Sequence, residues 1–320
     1  MTTLISSVQL TRATKYKLND SHYIPVAGFG VYKLPKNEAG DLVYEALLQG
    51  YRHIDTAVYY ENEEECAEAI AKFLKDHPDK AAREDIWFTT KIRPDQLGYE
   101  ETKKAVAEIA ARVKPHIEYV DLMLLHAPLK SKKTRLDSWK ALQEFASDPA
   151  NGVLKIKSIG VSNYGVEHLK ELMEWDGLTI PPSVNQLELH PWLPRQELRA
   201  YMLKHGILAE AYSPLTRGIK FKDPELIALS KKFNMSMAEI LLKWSYLQGF
   251  IVLAKTATKE RIKENLSVLP EAPKDDPLEE KTNWGKVDLD LELLKALDKP
   301  DSHEVLIIQD DPTIYHNTDE

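Results

Sequence analysis

The sequence contains little cysteine and no long apolar stretch. Cys66 is the single cysteine among 320 residues, which excludes an internal disulfide framework and a cysteine-rich metal site. No run approaches the roughly 18 apolar residues that a membrane-spanning helix needs. The opening stretch MTTLISSVQLTRATKYKL is interrupted by polar residues before any apolar signal segment develops. From these absences we expect a cytoplasmic protein that does not enter a membrane.

An excess of positive charge and glycine-rich phosphate motifs are absent as well. The formal net charge is −8, so the chain has no overall basic character for a nucleic-acid backbone, and we expect no nucleic-acid partner. Neither G-x-G-x-x-G after a strand nor G-x-x-x-x-G-K-[ST] occurs. The two usual glycine-rich phosphate cradles are therefore excluded.

Histidine is present, but not in metal-binding spacing. The triplet His53-Ile54-Asp55 raises the possibility of a metal-dependent barrel hydrolase. The chain has no H-x-H or H-E-x-x-H, and His126 and His190 have no evident ligand partners. We expect no metal.

What the sequence does contain is a regular alternation of short apolar runs with amphipathic helical patterns. With 43% apolar residues, the chain can bury a sizeable core. Alternating strands and helices predict a parallel sheet buried on both faces. A closed (β/α)₈ TIM barrel fits the count and the length, whereas an open doubly wound sheet would normally divide into two lobes. We predict one barrel domain over residues 1–320. The eight strand candidates are YIPVAGFGV, HIDTA, IWFTTKI, VDLMLLHAP, KSIGVSNY, PSVNQLELHP, LAEAYSPL and IVLAKTA.

Two segments near the end of the chain depart from this rhythm. Residues 270–286 carry three prolines and many charges, which predicts an inserted exposed loop. The following VDLDLELLKAL is interpreted as a helix, and residues 298–320 as a C-terminal tail with few apolar anchors.

Polar residues occur where four of the predicted strands end. In a parallel barrel the active site lies at the carboxyl ends of the strands, so polar residues there carry more weight than elsewhere. Each alone is consistent with a hydrogen-bonded loop residue, but four such strand ends favour a site. The residues are Asp55 with Tyr60 just beyond it, Lys91, His126, and the pair Ser162 and Asn163.

These residue types suit proton donation. A tyrosine hydroxyl has an ordinary pKa near 10, and the Lys91 ammonium would lower it by favouring phenolate. A buried lysine needs a counter-ion, which Asp55 would supply. His126 would orient a carbonyl oxygen or transfer protons. The neighbouring Tyr59 is interpreted as a packing residue, and Glu63–Glu65 as the first turn of a helix.

The chain resembles the aldo-keto reductases, the NADP(H)-dependent barrel family, from about Lys17 to Asn265. It looks closest to the yeast-type reductases of the group that includes aldose and xylose reductases. The resemblance implies NADPH-dependent reduction of aldehydes and ketones, including α-dicarbonyl or α-keto ester compounds, by a monomer or homodimer. The matching blocks are GYRHIDTAVYYENEE, FTTK, VDLMLLHAP, KSIGVSNY, VNQLELHP, EAYSPL and KTATKERIKENL.

The resemblance also implies roles for individual residues. The catalytic set is Asp55, Tyr60, Lys91 and His126, with Tyr60 as the general acid. The nicotinamide carboxamide is assigned to Ser162, Asn163 and Gln186, the face of its ring to Tyr212, and the pyrophosphate to Ser213 and Leu215.

The block KTATKER bears on which nicotinamide cofactor is bound. A 2′-phosphate needs cations and hydroxyl donors, and Lys255, Thr256 and Arg261 provide them at the start of a helix, where the dipole also favours an anion. This pattern favours NADPH/NADP⁺ over NAD(H). The resemblance adds Glu264 and Asn265 as adenine contacts.

The substrate pocket is where the chain departs from its relatives. Ala127 stands where family members often have a bulky aromatic residue, and Tyr32 stands in place of a tryptophan. Trp192 is a candidate for the pocket rim and equally for the core. The loop TRGIKFKDPE is short and lacks the long segment that clasps the dinucleotide in aldose reductase. The resemblance places the 298–320 tail near the pocket.

A second class of function has to be weighed against the reductase. Some proteins on this barrel are NADPH-binding regulatory subunits in which turnover is incidental. The complete set of four catalytic residues argues against that interpretation, and so does the lack of a long partner-binding extension.

Overall fold

A computed structural model describes residues 5–271, 286–308 and 310–316. Its centre is a closed barrel of eight parallel strands, β4 to β11, each neighbouring pair joined by main-chain hydrogen bonds. The predicted (β/α)₈ barrel is confirmed. That residues 1–320 form a single domain stays a prediction.

All eight predicted barrel strands are present, although several are shorter than their apolar runs. The described strands are β1 Ile5–Gln9, β2 Lys15–Lys17, β3 Tyr23–Pro25, β4 Ala27–Gly30, β5 His53–Asp55, β6 Trp87–Ile92, β7 Tyr119–Leu125, β8 Lys155–Ser162, β9 Val184–Glu188, β10 Leu208–Tyr212, β11 Ile251–Ala254 and β12 Lys286–Asp290. The described α-helices are α1 Lys36–Gln49, α2 Glu63–Asp76, α3 Tyr99–Val113, α4 Lys132–Ser147, α5 Val166–Met173, α6 Gln196–Lys204, α7 Pro224–Phe233, α8 Met237–Leu247, α9 Lys259–Leu266 and α10 Leu291–Leu297.

Apolar spacing and helix caps account for the helices around the barrel. In α3 the buried residues recur at intervals of three and four, which presents one apolar stripe to the strands. Helix α8 begins after Ser236, whose hydroxyl accepts a hydrogen bond from the Glu239 N–H. Helix α2 begins at Glu63, which confirms the predicted acidic first turn.

The amino end of the barrel is closed by the antiparallel hairpin of β2 and β3. Leu18 and Ile24 from this hairpin form a separate apolar cluster with the first residues of three strands, Trp87, Val184 and Ile251. The polar side chains discussed below lie toward the opposite end. The barrel is therefore apolar and closed at one end and polar at the other.

The prediction that VDLDLELLKAL is one helix is wrong for its first half. Lys286–Asp290 form strand β12, which pairs antiparallel with β1, a strand that the sequence pattern did not indicate. Val287 and Leu289 are buried while Asp288 is half-buried, so the period of two that suits a strand outweighs the helical reading. Of the predicted 270–286 loop, residues 272–285 lie outside the described residues, and Lys286 belongs to β12.

The C-terminal tail is fixed to the barrel through specific contacts. The Arg195 guanidinium donates to both oxygens of Asp311 at 3.0 Å, and Asp311 also contacts the His303 ring. The Glu304 N–H donates to the Trp192 carbonyl at 2.8 Å. The tail therefore packs beside the residues that follow β9. That it borders the substrate pocket stays a prediction.

None of the described helices combines the length and the apolarity of a membrane span.

Gly160 in β8 is a test of how tightly the barrel strands are packed. A Cβ added at Gly160 would lie 2.7 Å from the Val184 carbonyl oxygen and 2.8 Å from Leu124. We expect Gly160→Ala to lower the free energy of unfolding by about 1–3 kcal/mol, because the main chain of β9 has to move. Gly30→Ala is the matched control, since its nearest neighbour would be 3.8 Å away. Denaturant unfolding of both variants checks this, and equal stabilities would contradict it.

Candidate active site

The polar end of the barrel is organised around a buried ion pair. Lys91 in β6 is completely buried, and its ammonium donates to both carboxylate oxygens of Asp55 at 2.8 Å. A third bond goes to the Thr56 carbonyl at 2.8 Å. Asp55 ends strand β5, so the two charges meet where neighbouring strands end. The expected pairing of Lys91 with Asp55 is present.

Tyr60 is brought to this pair by a tight turn. A 3₁₀ turn, Val58–Tyr60, follows β5 directly and returns the tyrosine over the strand ends. The Lys91 ammonium lies 3.4 Å from the Tyr60 hydroxyl, a long hydrogen bond in which lysine donates. The His126 ring meets the Tyr60 ring edge to face, with centroids 5.7 Å apart. The four residues predicted as a catalytic set are therefore neighbours in space.

The pKa of the Tyr60 hydroxyl differs from the expectation drawn from the sequence. Burial raises the pKa of the Tyr60 hydroxyl well above its ordinary value, and the Asp55 carboxylate raises it further, while Arg217 opposes them. The net change is therefore upward and not downward as expected, because burial and the Asp55 charge outweigh the nearby positive charge. Tyr60 therefore carries its proton throughout the neutral pH range.

His126 is neutral in this environment. Burial, and then the Lys91 charge, lower the pKa of its imidazole to about 3. Within the described residues His126 Nδ1 is buried without a hydrogen-bond partner. An N–H left unpaired there would be costly, so the geometry favours the tautomer with the proton on Nε2. His126 thus has one N–H available for a ligand oxygen.

A second carboxyl group lies beneath the ion pair. Gln186 in β9 donates from Nε2 to Asp55 at 2.9 Å and to Glu210 at 2.7 Å. Glu210 in β10 is fully buried, and burial followed by the Asp55 charge raises the pKa of its carboxyl to about 8. Gln186 therefore links the Lys91–Asp55 pair to a carboxylic acid that is mostly protonated at neutral pH.

The residues assigned to a carboxamide form one hydrogen-bonded group. Asn163 Nδ2 donates to the His126 carbonyl at 2.9 Å and to the Ser162 hydroxyl at 3.0 Å. The Tyr212 hydroxyl donates to Asn163 Oδ1 at 2.9 Å. The side-chain NH₂ groups of Asn163 and Gln186 therefore donate both of their hydrogens within the protein. For the NH₂ group of a carboxamide, these two side chains offer only their oxygens, as acceptors.

A cluster of cations lies beside this group at the mouth of the barrel. The Arg217 guanidinium lies 5.0 Å from the centre of the Tyr32 ring, and the Lys33 ammonium lies 5.5 Å from the same ring. Burial lowers the pKa of the nearby Lys255 ammonium, and repulsion by Arg217 and Lys33 lowers it further. Across the described residues none of the three cations forms an ion pair with a carboxylate. An anionic group would relieve their mutual repulsion.

Two further stretches present groups that suit phosphate. Ser213, Thr216 and Arg217 all have positive φ, a conformation rare for residues with side chains, in the turn that follows β10. Leu215 lies in the same turn. Helix α9 begins at Lys259 with Arg261 exposed in its first turn, while Thr256 is nearly buried and bonded to the Thr258 N–H. Farther along α9, Glu264 is exposed and Asn265 is buried.

The residues predicted for the substrate pocket take three different positions. Tyr32 stacks at a tilt against Tyr60 with ring centroids 4.9 Å apart, so it borders the catalytic set. Ala127 is nearly buried next to His126. Trp192 is buried in the main apolar core, with the Lys220 ammonium 4.9 Å from its ring.

The interpretation of Tyr59 as a packing residue is wrong. Its side chain is 57% exposed and meets the His126 ring edge to face at 6.4 Å. The 3₁₀ turn makes the two adjacent tyrosines diverge, sending Tyr60 inward and Tyr59 outward. Tyr59 therefore lies on the rim of the same site.

Sequence reasoning missed four residues that border the site: Lys33, Tyr59, Glu210 and Arg217. A signal was available for two of them. Glu210 is a charged residue within a strand predicted to be buried on both faces. Arg217 is the first of three cations in the stretch TRGIKFK, which follows SPL.

Among the residues that the structure describes, no three histidine, cysteine, aspartate or glutamate side chains are grouped closely enough to hold a metal ion.

Comparisons with known proteins agree with this architecture. A model of the aldo/keto reductase family matches residues 27–278. An uncharacterised oxidoreductase of Saccharomyces cerevisiae is 37% identical over 289 residues, covering 90% of this chain and 95% of the yeast protein. A glyoxal reductase of Bacillus subtilis is 37% identical over 253 residues, covering 79% and 86% respectively. The crystal structure of an aldo/keto reductase from Brucella melitensis superposes with a TM-score of 0.71 at 36% identity, covering 90% and 99%.

The chain belongs to the aldo/keto reductase family, as its sequence predicts. It is an oxidoreductase of that family, built on a barrel with a tyrosine, a lysine, an aspartate and a histidine at the polar end.

The buried ion pair makes a prediction about stability. Asp55→Asn leaves the Lys91 ammonium buried without a counter-ion, so we expect a loss of about 3–5 kcal/mol in the free energy of unfolding. Asp55→Asn combined with Lys91→Met removes both charges and should recover most of that loss. The control is Asp76→Asn, which breaks an exposed pair with Lys72 and should cost under about 1 kcal/mol. A double variant no more stable than Asp55→Asn would contradict this account.

Proposed function

We propose that this protein is an NADPH-dependent reductase that converts aldehydes and ketones to alcohols, with Tyr60 as the general acid. One observation carries the proposal. A protonated tyrosine hydroxyl lies 3.4 Å from an ammonium held by a carboxylate, at the polar end of the barrel and beside a neutral histidine. This arrangement can deliver a proton to a carbonyl oxygen and stabilise the phenolate that remains.

The chain's own residues account for the proton and the orientation of the substrate. NADPH, when bound, supplies the hydride. The carbonyl oxygen accepts a hydrogen bond from His126 Nε2 and the proton from the Tyr60 hydroxyl. The adjacent Lys91 ammonium then stabilises the Tyr60 phenolate until a proton from solvent restores it.

The residues present are suited to NADPH. Lys33, Arg217 and Lys255 are cations without carboxylate partners in the described part of the chain, as a pyrophosphate would require. We assign the nicotinamide carboxamide to Ser162, Asn163 and Gln186, its ring to Tyr212, and the pyrophosphate to Ser213 and Leu215 together with these cations. The 2′-phosphate is assigned to Lys255, Thr256 and Arg261 at the start of α9, and the adenine to Glu264 and Asn265.

The substrate side of the pocket is assigned to Tyr32, Ala127 and the buried Trp192, with the exposed Tyr59 at its rim. The relative from Bacillus subtilis is named a glyoxal reductase, which supports α-dicarbonyl compounds as the first substrates to test. α-Keto esters follow. A cytoplasmic location and a monomeric or homodimeric state stay predictions.

Tyr60→Phe tests the proposed function directly. Loss of the hydroxyl should lower kcat for carbonyl reduction by about 100-fold or more, because general acid catalysis is removed. The Kd for NADPH, measured by fluorescence titration, should remain near the wild-type value. Tyr59→Phe is the matched control, since it removes a hydroxyl from the adjacent exposed tyrosine.

The measurement is NADPH oxidation with a panel of aldehydes, α-dicarbonyls, α-keto esters and ketones. Near-normal turnover by Tyr60→Phe would exclude Tyr60 as the acid. If the wild-type protein binds NADPH tightly but reduces no member of the panel, a regulatory NADPH-binding role is favoured instead.

Arg261→Ala tests the preference for NADPH over NADH. It removes a charged hydrogen-bond donor to the 2′-phosphate, so the Kd for NADPH should rise by about tenfold or more. The Kd for NADH, which lacks that phosphate, should change little. Lys263→Ala is the control, because it removes a positive charge from another side of the same helix. Equal losses for both cofactors would show that Arg261 does not contact the phosphate.

A further inference from the structure

Glu210 is a buried carboxyl group to which the proposed reaction assigns no role. It lies in the middle of β10, paired in register with Gln186 of β9 and Ile251 of β11, and its side chain is fully buried. One carboxyl oxygen accepts a hydrogen bond from Gln186 Nε2 at 2.7 Å. The other, Oε1, lies 3.5 Å from His53 Nε2 and has no hydrogen bond within the described residues.

The hydrogen bonds around His53 show whether the nitrogen that faces Glu210 Oε1 carries a proton. The Pro25 carbonyl, 3.3 Å from His53 Nδ1, can only accept, so the imidazole proton is on Nδ1. The Trp87 indole donates to the Thr89 hydroxyl at 3.1 Å, which leaves that hydroxyl to donate to His53 Nε2, also at 3.1 Å. Burial lowers the pKa of His53 to about 3, so the ring is neutral.

His53 Nε2 is therefore an acceptor nitrogen that faces Glu210 Oε1. A carboxylate there would place two lone pairs against each other without a proton between them. A carboxylic acid would place its O–H toward the nitrogen, whose one lone pair would then be shared between the Glu210 and Thr89 hydroxyls. The geometry thus favours a protonated Glu210, independently of its burial.

The charges that face Glu210 from the surrounding strands support the same conclusion. Strand β5 contributes Asp55 and the neutral His53, β6 contributes Lys91, and Tyr60 lies beyond them. Strand β11 contributes the apolar Ile251, and β9 the neutral amide of Gln186. One ammonium is therefore available to two buried carboxyl groups, and it is bonded to Asp55. Only a protonated Glu210 leaves this interior electrically balanced.

We propose that Glu210 is a proton-carrying positioning residue that holds the Gln186 amide on Asp55, and that its ionisation makes Tyr60 a poorer acid. The second part rests on the proposed reductase activity, whereas the first does not. Glu210 does not touch the carbonyl substrate in this account. It acts through Gln186 and through the electrostatic field at the Tyr60 hydroxyl.

The sign of the effect follows from the charges. Below about pH 8 Glu210 is neutral. As pH rises through that value, a new negative charge appears beside Asp55, and it raises the pKa of Tyr60 further. A weaker acid protonates the carbonyl oxygen more slowly, so kcat should fall, by up to about tenfold for each pKa unit gained by Tyr60 when proton transfer is rate-limiting.

The pH profile of kcat for carbonyl reduction tests the effect on Tyr60. In the wild-type holoenzyme we expect a fall centred near pH 8. Glu210→Gln should abolish it, because the amide oxygen can still accept from Gln186 and its N–H can face His53, but the amide cannot ionise. Glu210→Ala loses the bond from Gln186 and should lower kcat at every pH, and the Gln variant should restore kcat relative to Ala. Glu188→Gln is the matched control: it makes the same change at a buried carboxyl of β9 that contacts His190, and it should keep the wild-type fall. A Glu210→Gln profile that keeps the fall would overturn the proposed effect.

Thermal unfolding tests the proton on Glu210 without any catalysis. A carboxyl whose pKa is higher in the folded protein stabilises fully below its unfolded pKa of about 4.3, and that contribution is lost as pH rises to its folded value. Relative to Glu210→Gln, the wild-type Tm should therefore fall between about pH 5 and about pH 8 and then level off. Glu188→Gln is the control: it shows how the pH dependence of Tm changes when another buried glutamate is replaced by glutamine.

The two experiments separate the possible failures. A Tm difference between wild type and Glu210→Gln that is independent of pH would overturn the protonation of Glu210, whatever the kinetics show. Absence of turnover with every carbonyl would refute the proposed function, and the Tm comparison would still decide whether Glu210 carries the proton.

Discussion

The Lys91–Asp55 ion pair is the interaction on which the rest of the polar end depends. An ammonium enclosed by protein is tolerable only if it is fully paired, and Lys91 uses three short hydrogen bonds to achieve this. Two of those bonds fix Asp55 and the third fixes the main chain of Thr56. The turn that carries Tyr60 begins two residues later, so the position of the tyrosine follows from the pairing.

Barrel geometry explains how one pair can organise residues so distant in sequence. Neighbouring parallel strands end at one end of the barrel, so β5 and β6 place Asp55 and Lys91 side by side there. The middle residues of β9 and β10, Gln186 and Glu210, face the barrel interior beneath them. Gln186 is the connection across the barrel, because its two N–H groups bond Asp55 and Glu210. The amino end, closed by Leu18 and Ile24, keeps water away from the other side of this network.

Features of the fold and site could be predicted from the sequence where they follow from a repeating pattern. They could not be predicted where they depend on burial or on strand register. The order of the strands could be predicted because strands and helices alternate along the sequence. The pairing of Lys91 with Asp55 could be predicted because a buried lysine needs a counter-ion. Strand β12 was missed because its partner strand, Ile5–Gln9, lies at the other end of the sequence, with paired residues 277 to 285 positions apart. Tyr59 was misassigned because adjacent side chains in a 3₁₀ turn point in different directions, and the sequence alone does not show which of the two tyrosines points inward. The pKa of Tyr60 is raised and not lowered, because burial, which cannot be read from a motif, dominates.

Charge balance also separates the interior of the site from its mouth. Inside, each charge has a partner or is removed by protonation, since low polarity makes an unpaired ion costly. At the mouth, Lys33, Arg217 and Lys255 have no carboxylate partner among the described residues, although the protein as a whole carries a charge of −8. These three exposed cations therefore give the mouth a local positive charge that is opposite in sign to the charge of the whole chain. An anion bound among them would lie next to Tyr32, on the side of the site where the pyrophosphate of NADPH is proposed to bind.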